Sequence, residues 1–410
     1  MATVIRSRLA QVLLILSALV LFSGIADAGP KAYVGNFKDN TVSAIDTSIG
    51  KVVATIPVAA GPHGMGITPD GRLLYVSGDG SSTLSVIDIA TDSVARTIDV
   101  GKAPNGIALT SDGRMLLVCV YGEDRISFID TATQSVVGTV NVAKPHTVSI
   151  RPDDKVAYVT SQEPGRLALV VIDLSKRAVL RTIALDKPPR DLEFGYDGKA
   201  VYFTKAGMNA VEVLDPTSDK IIAEIPTGVS PHYVNFFRGT TLGMVVVQGP
   251  GEILLFDPMT NKPVRSIGVG KQPHWLAMLG DGKTAYVTNE GSNNVSVVDL
   301  SSGKTTTIAV GNQPRKVVVQ AAVPVTGGVK VSIANFAFAP QAVTIAPGDS
   351  VTWNNEDGGP HTVTFKDGSS GSDSIFPGSM FSRTFEKPGS FDYFCSIHPY
   401  MVGHVIVRSQ

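Results

Sequence analysis

Cysteine is scarce: Cys119 and Cys395 are the only two in 410 residues, too few for a disulfide-framed architecture. Charge is also thin. Asp, Glu, Lys and Arg make up 17% of the chain and nearly cancel to a formal net charge of -1, so the basic footprint of a nucleic-acid binder is missing. No Cys-x-x-Cys-His occurs, which excludes covalent c-type haem. No Gly-x-Ser-x-Gly elbow occurs either, so a serine hydrolase has no motif to stand on. Only one apolar run is long, Leu9 to Phe22, and it falls short of the roughly 20 residues that span a bilayer.

What is present begins with that run. Arg6 and Arg8 precede it and Ala26-Asp27-Ala28 follows, the order of a Sec-type signal peptide cut after Ala28. The expectation is a periplasmic or secreted protein with residues 1–28 removed and no later membrane span. The 41 glycines and 25 prolines then point to an all-β chain rich in turns rather than to helices.

A repeat fills the next three hundred residues. An aspartate closes a short apolar strand at Asp46, Asp88, Asp130, Asp173, Asp215, Asp257 and Asp299, every 42 or 43 residues. A proline recurs in step at Pro62, Pro104, Pro145, Pro189, Pro231, Pro273 and Pro314. Between these marks lie strands of four to six residues joined by tight turns such as Asp70-Gly71, Asp112-Gly113, Asp197-Gly198 and Asp281-Gly282, about four strands per repeat, which makes one propeller blade. Tyr286-Val287-Thr288-Asn289 and its relatives Tyr33-Val34-Gly35-Asn36, Tyr75-Val76-Ser77-Gly78 and Tyr158-Val159-Thr160-Ser161 resemble the YVTN family of β-propeller repeats. The resemblance implies a seven-bladed β-propeller over 31–320. The chain enters at a blade's second strand and leaves at Pro314-Arg315-Lys316-Val317, a first strand, so the last inner strand is expected to close the ring against the first three strands.

The repeat stops after Val319. Residues 321–328 read as a linker, and from Val329 to 410 the alternation of Val329-Lys330-Val331-Ser332-Ile333, the Pro347-Gly348-Asp349 turn and the strand Val351-Thr352-Trp353 suggest a small Greek-key β-sandwich. Its chemistry sits in Cys395-Ser396-Ile397-His398-Pro399-Tyr400-Met401, which offers a thiolate, an imidazole and a thioether at three-residue steps. With His361 from Gly359-Pro360-His361-Thr362, two imidazoles, one thiolate and a weak axial Met are the ligands of a blue-copper electron-transfer site. Zinc rarely takes a thioether. His404 lies outside the spacing and is set aside. Cys119, in Leu116-Leu117-Val118-Cys119-Val120, reads as a buried hydrophobe rather than a disulfide partner of Cys395.

This segment resembles the cupredoxins, and its Cys-x-x-His-x-x-Met loop looks most like those of amicyanin and pseudoazurin. The resemblance implies one type 1 copper per chain and electron passage through the edge of His398. It also implies a redox partner such as a cytochrome or a quinoprotein dehydrogenase. A binuclear centre would need a second cysteine on the loop, so a mononuclear site is expected.

The residue after each repeat proline adds a second pattern: His63, Asn105, His146, Arg190, His232, His274 and Arg315. Four of the chain's 7 histidines share this position near one mouth of the channel. They are candidates for a second copper, with Arg190 and Arg315 for an anion. A propeller followed by a cupredoxin resembles nitrous oxide reductase in architecture, where propeller histidines hold copper. Two functions therefore stay open: a one-electron carrier with the propeller as a partner- or ligand-binding platform, or a copper oxidoreductase with a propeller-mouth site. Monomer and homo-oligomer are equally compatible with the sequence.

Overall fold

The computed structural model describes residues 30–195, 197–237, 242–320, 329–345 and 347–407. The expected signal peptide and the 321–328 linker lie outside these described residues. No helix among them is long and apolar enough to cross a membrane.

Seven four-stranded antiparallel sheets occupy the first part of the chain, and the ring closes as the sequence suggests. The last inner strand, Pro314–Val319, pairs with Lys31–Asn36, and Thr41–Asp46 and Lys51–Pro57 complete that sheet. No inner edge of that blade is left unpaired. The repeating aspartates have a local cause. Each Oδ1 accepts a main-chain N–H two or three residues ahead, for example Ser48 on Asp46 at 2.9 Å, Thr133 on Asp130 at 2.8 Å and Ser301 on Asp299 at 2.8 Å. Each such contact caps the turn that follows its strand.

Every inner strand starts at its proline, where the missing N–H costs nothing, and every one then bulges. The register slips between Pro62 and Met65, Pro104 and Ile107, Pro145 and Val148, and likewise on the remaining blades. A bulge takes main-chain groups out of the ladder. Where the third residue of the Tyr-Val-Thr-Asn motif is Ser or Thr, its hydroxyl collects them. Ser77 Oγ accepts from the Gly64 amide at 2.7 Å and donates to the Asn105 carbonyl of the next blade at 2.5 Å. Thr288 does the same between the Trp275 amide, 3.0 Å, and the Arg315 carbonyl, 2.8 Å. Thr204 reaches the His232 carbonyl at 2.6 Å.

The second domain is a sandwich of two four-stranded sheets. One runs in the order Ala337–Ala339, Val329–Ala334, Ser350–Asn355, Met380–Thr384, and the other Ala342–Ile345, Val402–Val407, Gly389–Phe394, Thr364–Phe365. Trp353 and Tyr393, both fully buried, meet edge to face at 5.1 Å between ring centroids at the middle of the core, a geometry favoured by the ring quadrupoles. Cys119 sits in the propeller core as a free thiol, as does Cys395 in the sandwich. Burial pushes the Cys119 thiol up.

The stitched inner strands leave little space at one position and more at another. A Cβ on Gly64 would lie 2.3 Å from the Asn105 carbonyl oxygen, whereas one on Gly66 would meet only Leu109 and Ile107 side chains at 3.5 Å or beyond. Gly64→Ala is expected to cost about 1–3 kcal/mol by overpacking, and Gly66→Ala to stay within about 0.5 kcal/mol. Thermal melts followed by circular dichroism compare the two; equal melting temperatures would contradict the stitched arrangement.

Candidate metal centre

Cys395 follows directly on the strand Gly389–Phe394, which pairs with Val402–Val407 from Gly389 opposite Val407 to Phe394 opposite Val402. The 395–401 loop is therefore pinned at both ends. The Cys395 amide donates to the Met401 carbonyl at 3.1 Å and the Met401 amide to the His398 carbonyl at 2.9 Å. His361 comes from the other side. A bridge with Ile375 holds its backbone, with its N–H on the Ile375 carbonyl at 3.0 Å and the return bond at 2.6 Å.

The donor atoms converge. Cys395 Sγ lies 3.7 Å from His361 Nδ1 and 3.7 Å from His398 Nδ1, and the two ring nitrogens are 3.2 Å apart. Two coordinate bonds of about 2.0–2.3 Å meeting at an open angle subtend separations of this size, so one ion fits among the three. Among the described residues this is the one group of three His, Cys, Asp or Glu donors within 4.8 Å of one another. Met401 is buried in the same core cluster as Cys395. A thiolate with two imidazoles and a nearby thioether is a soft set that suits copper.

The surroundings fix these side chains. The Thr362 amide points at Cys395 Sγ from 3.3 Å. Thr362 Oγ1 accepts from the Ser396 amide at 2.7 Å and ties the two ligand-bearing segments together. Asn355, fully buried, donates to the carbonyls of Gly359 at 2.8 Å and Ile375 at 2.7 Å. Asp357 accepts the amides of Asn335 and Phe336 at 2.6 and 2.9 Å and lies 3.0 Å from His361 Nε2. Such outer contacts orient the ligands. Burial holds the His361 imidazole below its usual value, against the pull of Asp357.

His398 is only half-buried, under Phe336 at 5.0 Å between centroids, with exposed Ile397 and Tyr400 beside it. His404 lies on the final strand, bonded to Asp392 at 2.7 Å.

The propeller histidines also gather. His63 lies 5.5 Å from His146 and 6.4 Å from His274, and His232 is 4.2 Å from His274, between ring centroids. No three of them bring donor atoms within the limit that the sandwich site meets. His146 Nδ1 and His274 Nδ1 face the carbonyls of Arg190 and Arg315, each at 3.1 Å, so those bulges spend one nitrogen of each ring. Burial lowers His146 to about 4 and His232 to about 3, and holds His63 and His274 well below the usual value. All four imidazoles are neutral near pH 7. The two arginines are engaged elsewhere, Arg190 with Ser230 at 2.8 Å and Arg315 with Glu290 at 3.3 Å. Asn105 completes the mouth by reaching Asp79 at 3.4 Å.

Ligand spacing pointed to none of Asn355, Asp357 or Phe336, because each acts through another residue. Asp191 and Glu193 were also hidden: they stand two and four places after Pro189, where a position-by-position comparison of the inner strands would have exposed them.

Comparison with known proteins agrees with this geometry. The model of the copper binding proteins of the plastocyanin/azurin family matches residues 325–408, and that of the YNCE-like beta-propeller matches 19–111. Amicyanin of Paracoccus versutus is 42% identical over 99 residues, 23% of this chain and 74% of that protein. Amicyanin-alpha of Methylorubrum extorquens is 39% identical over 88 residues, 20% of this chain and 73% of that protein. Among solved structures, Kuenenia stuttgartiensis hydrazine synthase superposes with a TM-score of 0.60 at 23% identity, over 65% of this chain and 91% of that one; this likeness speaks to fold alone. The chain belongs to the plastocyanin/azurin family of copper binding proteins, carrying that family's type 1 copper electron-transfer domain behind a YNCE-like β-propeller.

Proposed function

We propose that the protein is an exported one-electron carrier whose copper is held by His361, Cys395, His398 and Met401, with the propeller as a platform for a partner or ligand. The convergence of Sγ and two Nδ1 atoms within 4.8 Å of one another carries this reading. When bound, the metal supplies a one-electron couple. The chain's residues do the rest. Cys395 and Met401, buried at the two ends of the loop, are kept from water, Asn355 and Asp357 hold the His361 side, and half-buried His398 is the edge at which an electron enters or leaves. The apolar rim of Phe336, Ile397 and Tyr400 around that edge suits a redox protein, of which a cytochrome or a quinoprotein dehydrogenase is the class proposed. Export rests on the signal pattern of residues 1–28. The unit boundaries proposed are 31–320 for the propeller, 321–328 for the linker and 329–410 for the cupredoxin.

The clustered neutral imidazoles of His63, His146, His232 and His274 favour one other reading, a copper oxidoreductase with a second metal or substrate at the propeller mouth. Arg190 and Arg315, both already bonded within the ring, weaken the anion part of that idea.

Cys395→Ser is expected to abolish the intense blue absorption, since the colour needs a thiolate on the metal; persistence of the colour would remove Cys395 from the ligand set. Metal analysis of the purified, copper-loaded protein is expected to find about one copper per chain. Replacing His232 and His274 together with Asn is expected to leave both that ratio and the visible spectrum unchanged. A ratio near two that falls in the double variant would favour the oxidoreductase.

A further inference from the structure

The propeller channel contains a site that copper chemistry does not use. Toward the far ends of the inner strands lies a cavity of about 450 Å³, within the range of small-molecule sites. Its walls differ sharply around the ring. The first two inner strands offer Gly66, Gly106 and Ala108 with Met65, Ile67, Ile107 and Leu109 around them, an apolar wall with little bulk. The later strands offer Ser149, Asp191, Glu193, Tyr233, Trp275 and Lys316. Symmetric repeats have thus diverged to hollow out one side and charge the other.

The charged side is built rather than incidental. Tyr233 stacks on Trp275 with centroids 3.4 Å apart, and Lys316 Nζ sits 3.3 Å from the Trp275 ring centroid. Ser149 Oγ donates to Glu193 at 2.6 Å. Asp191 is 2% exposed, and one long bond from the Val234 amide, 3.4 Å, is its side-chain hydrogen bond. Among the described residues no hydrogen bond or ion pair engages the Lys316 ammonium. Burial pushes the Asp191 carboxyl well up and Glu193 up, and lowers Lys316 to about 8. Lys316 makes no close ion pair with either carboxyl, although the three act on one another electrostatically, and Asp191 is withdrawn from water, a costly arrangement for a protein interior. The ammonium is short of an acceptor. The two carboxyls, Asp191 above all, are short of a donor.

We propose that this cavity binds a small zwitterion of the amino-acid type, with its carboxylate on Lys316, its ammonium on Asp191 and Glu193, and its side chain against the apolar wall. The proposal rests on reading the propeller as a ligand platform and is independent of the copper centre. The zwitterion supplies an acceptor for Lys316 and a donor for the carboxyls at once, which neither a lone amine nor a lone acid can do.

The test is isothermal titration calorimetry on the full copper-loaded chain with a panel of neutral amino acids. Leucine is accompanied by its two truncations, 3-methylbutylamine and 4-methylpentanoic acid. At least one amino acid is expected to bind, and the truncated pair at least about ten-fold more weakly, as loss of a charge-assisted hydrogen bond implies. Lys316→Met and Glu193→Gln are each expected to raise Kd by at least about ten-fold. Gly66→Leu, at a position with room for a side chain, is expected to abolish binding with the melting temperature kept, which separates a filled cavity from a misfolded one. The blue absorption is expected to persist in all three variants, so failure of this site and failure of the copper reading are told apart. No binding by any amino acid up to about 10 mM, or an amine or acid that binds as tightly as the zwitterion, would overturn the proposal.

Discussion

Four of the seven blades carry a hydroxyl at the third place of the Tyr-Val-Thr-Asn motif, Ser77, Thr160, Thr204 and Thr288, and three of these tie one blade to the next. Each inner strand bulges just after its proline, and the bulge frees main-chain groups in the most crowded part of the molecule. Left unsatisfied there, each would cost about 1–3 kcal/mol. Ser77, Thr204 and Thr288 each donate to the carbonyl of the next blade's ring residue, and Ser77 and Thr288 also accept from their own inner strand's amide. One side chain therefore solves a local problem within a blade and joins that blade to its neighbour. The approach it enforces is why Gly64 admits no Cβ, and the bulge is what gathers the ring residues at one mouth.

The copper domain uses a different strategy. Its ligands come from two segments distant in sequence, and no repeat averages out an error in one of them. The precision comes from overlap: paired strands grip both ends of the 395–401 loop, Thr362 contacts both Cys395 and Ser396, and Asp357 touches both the His361 ring and the Phe336 turn. These overlapping contacts leave the donor triangle little freedom to rearrange. A site that changes little between two oxidation states is suited to electron transfer.

Much of this was legible in the residues. The aspartates and prolines kept a 42- or 43-residue step because turn capping and strand entry are local demands, visible wherever the local demand recurs. The candidate donors were legible for a related reason: three sit on one short loop, and the soft combination of thiolate, imidazole and thioether has few other uses. Asn355 and Asp357 were not legible, since an Asn or Asp in a turn is ordinary until the fold shows which carbonyl or imidazole it touches. The histidine ring was half legible. Its clustering followed from the repeat, but the Nδ1 contacts to the Arg190 and Arg315 carbonyls depend on bulge geometry that no pattern of residue types displays.

The contrast between repeated and divergent positions separates structure from chemistry in the ring. The positions that repeat in all seven blades serve the main chain: the aspartate caps a turn and the proline opens the inner strand where no N–H is needed. The places two and four after the proline carry no such duty. One blade puts Gly64 and Gly66 there, another Asp191 and Glu193, and the last Lys316 with Val318. Were the channel only a plugged axle, apolar side chains of matched size would fill it at lower cost than a partly buried ammonium with one buried and one partly buried carboxyl. The repeat therefore acts as a frame that leaves its inner face free to differ from blade to blade, and it is there that the propeller departs from what mere ring closure requires.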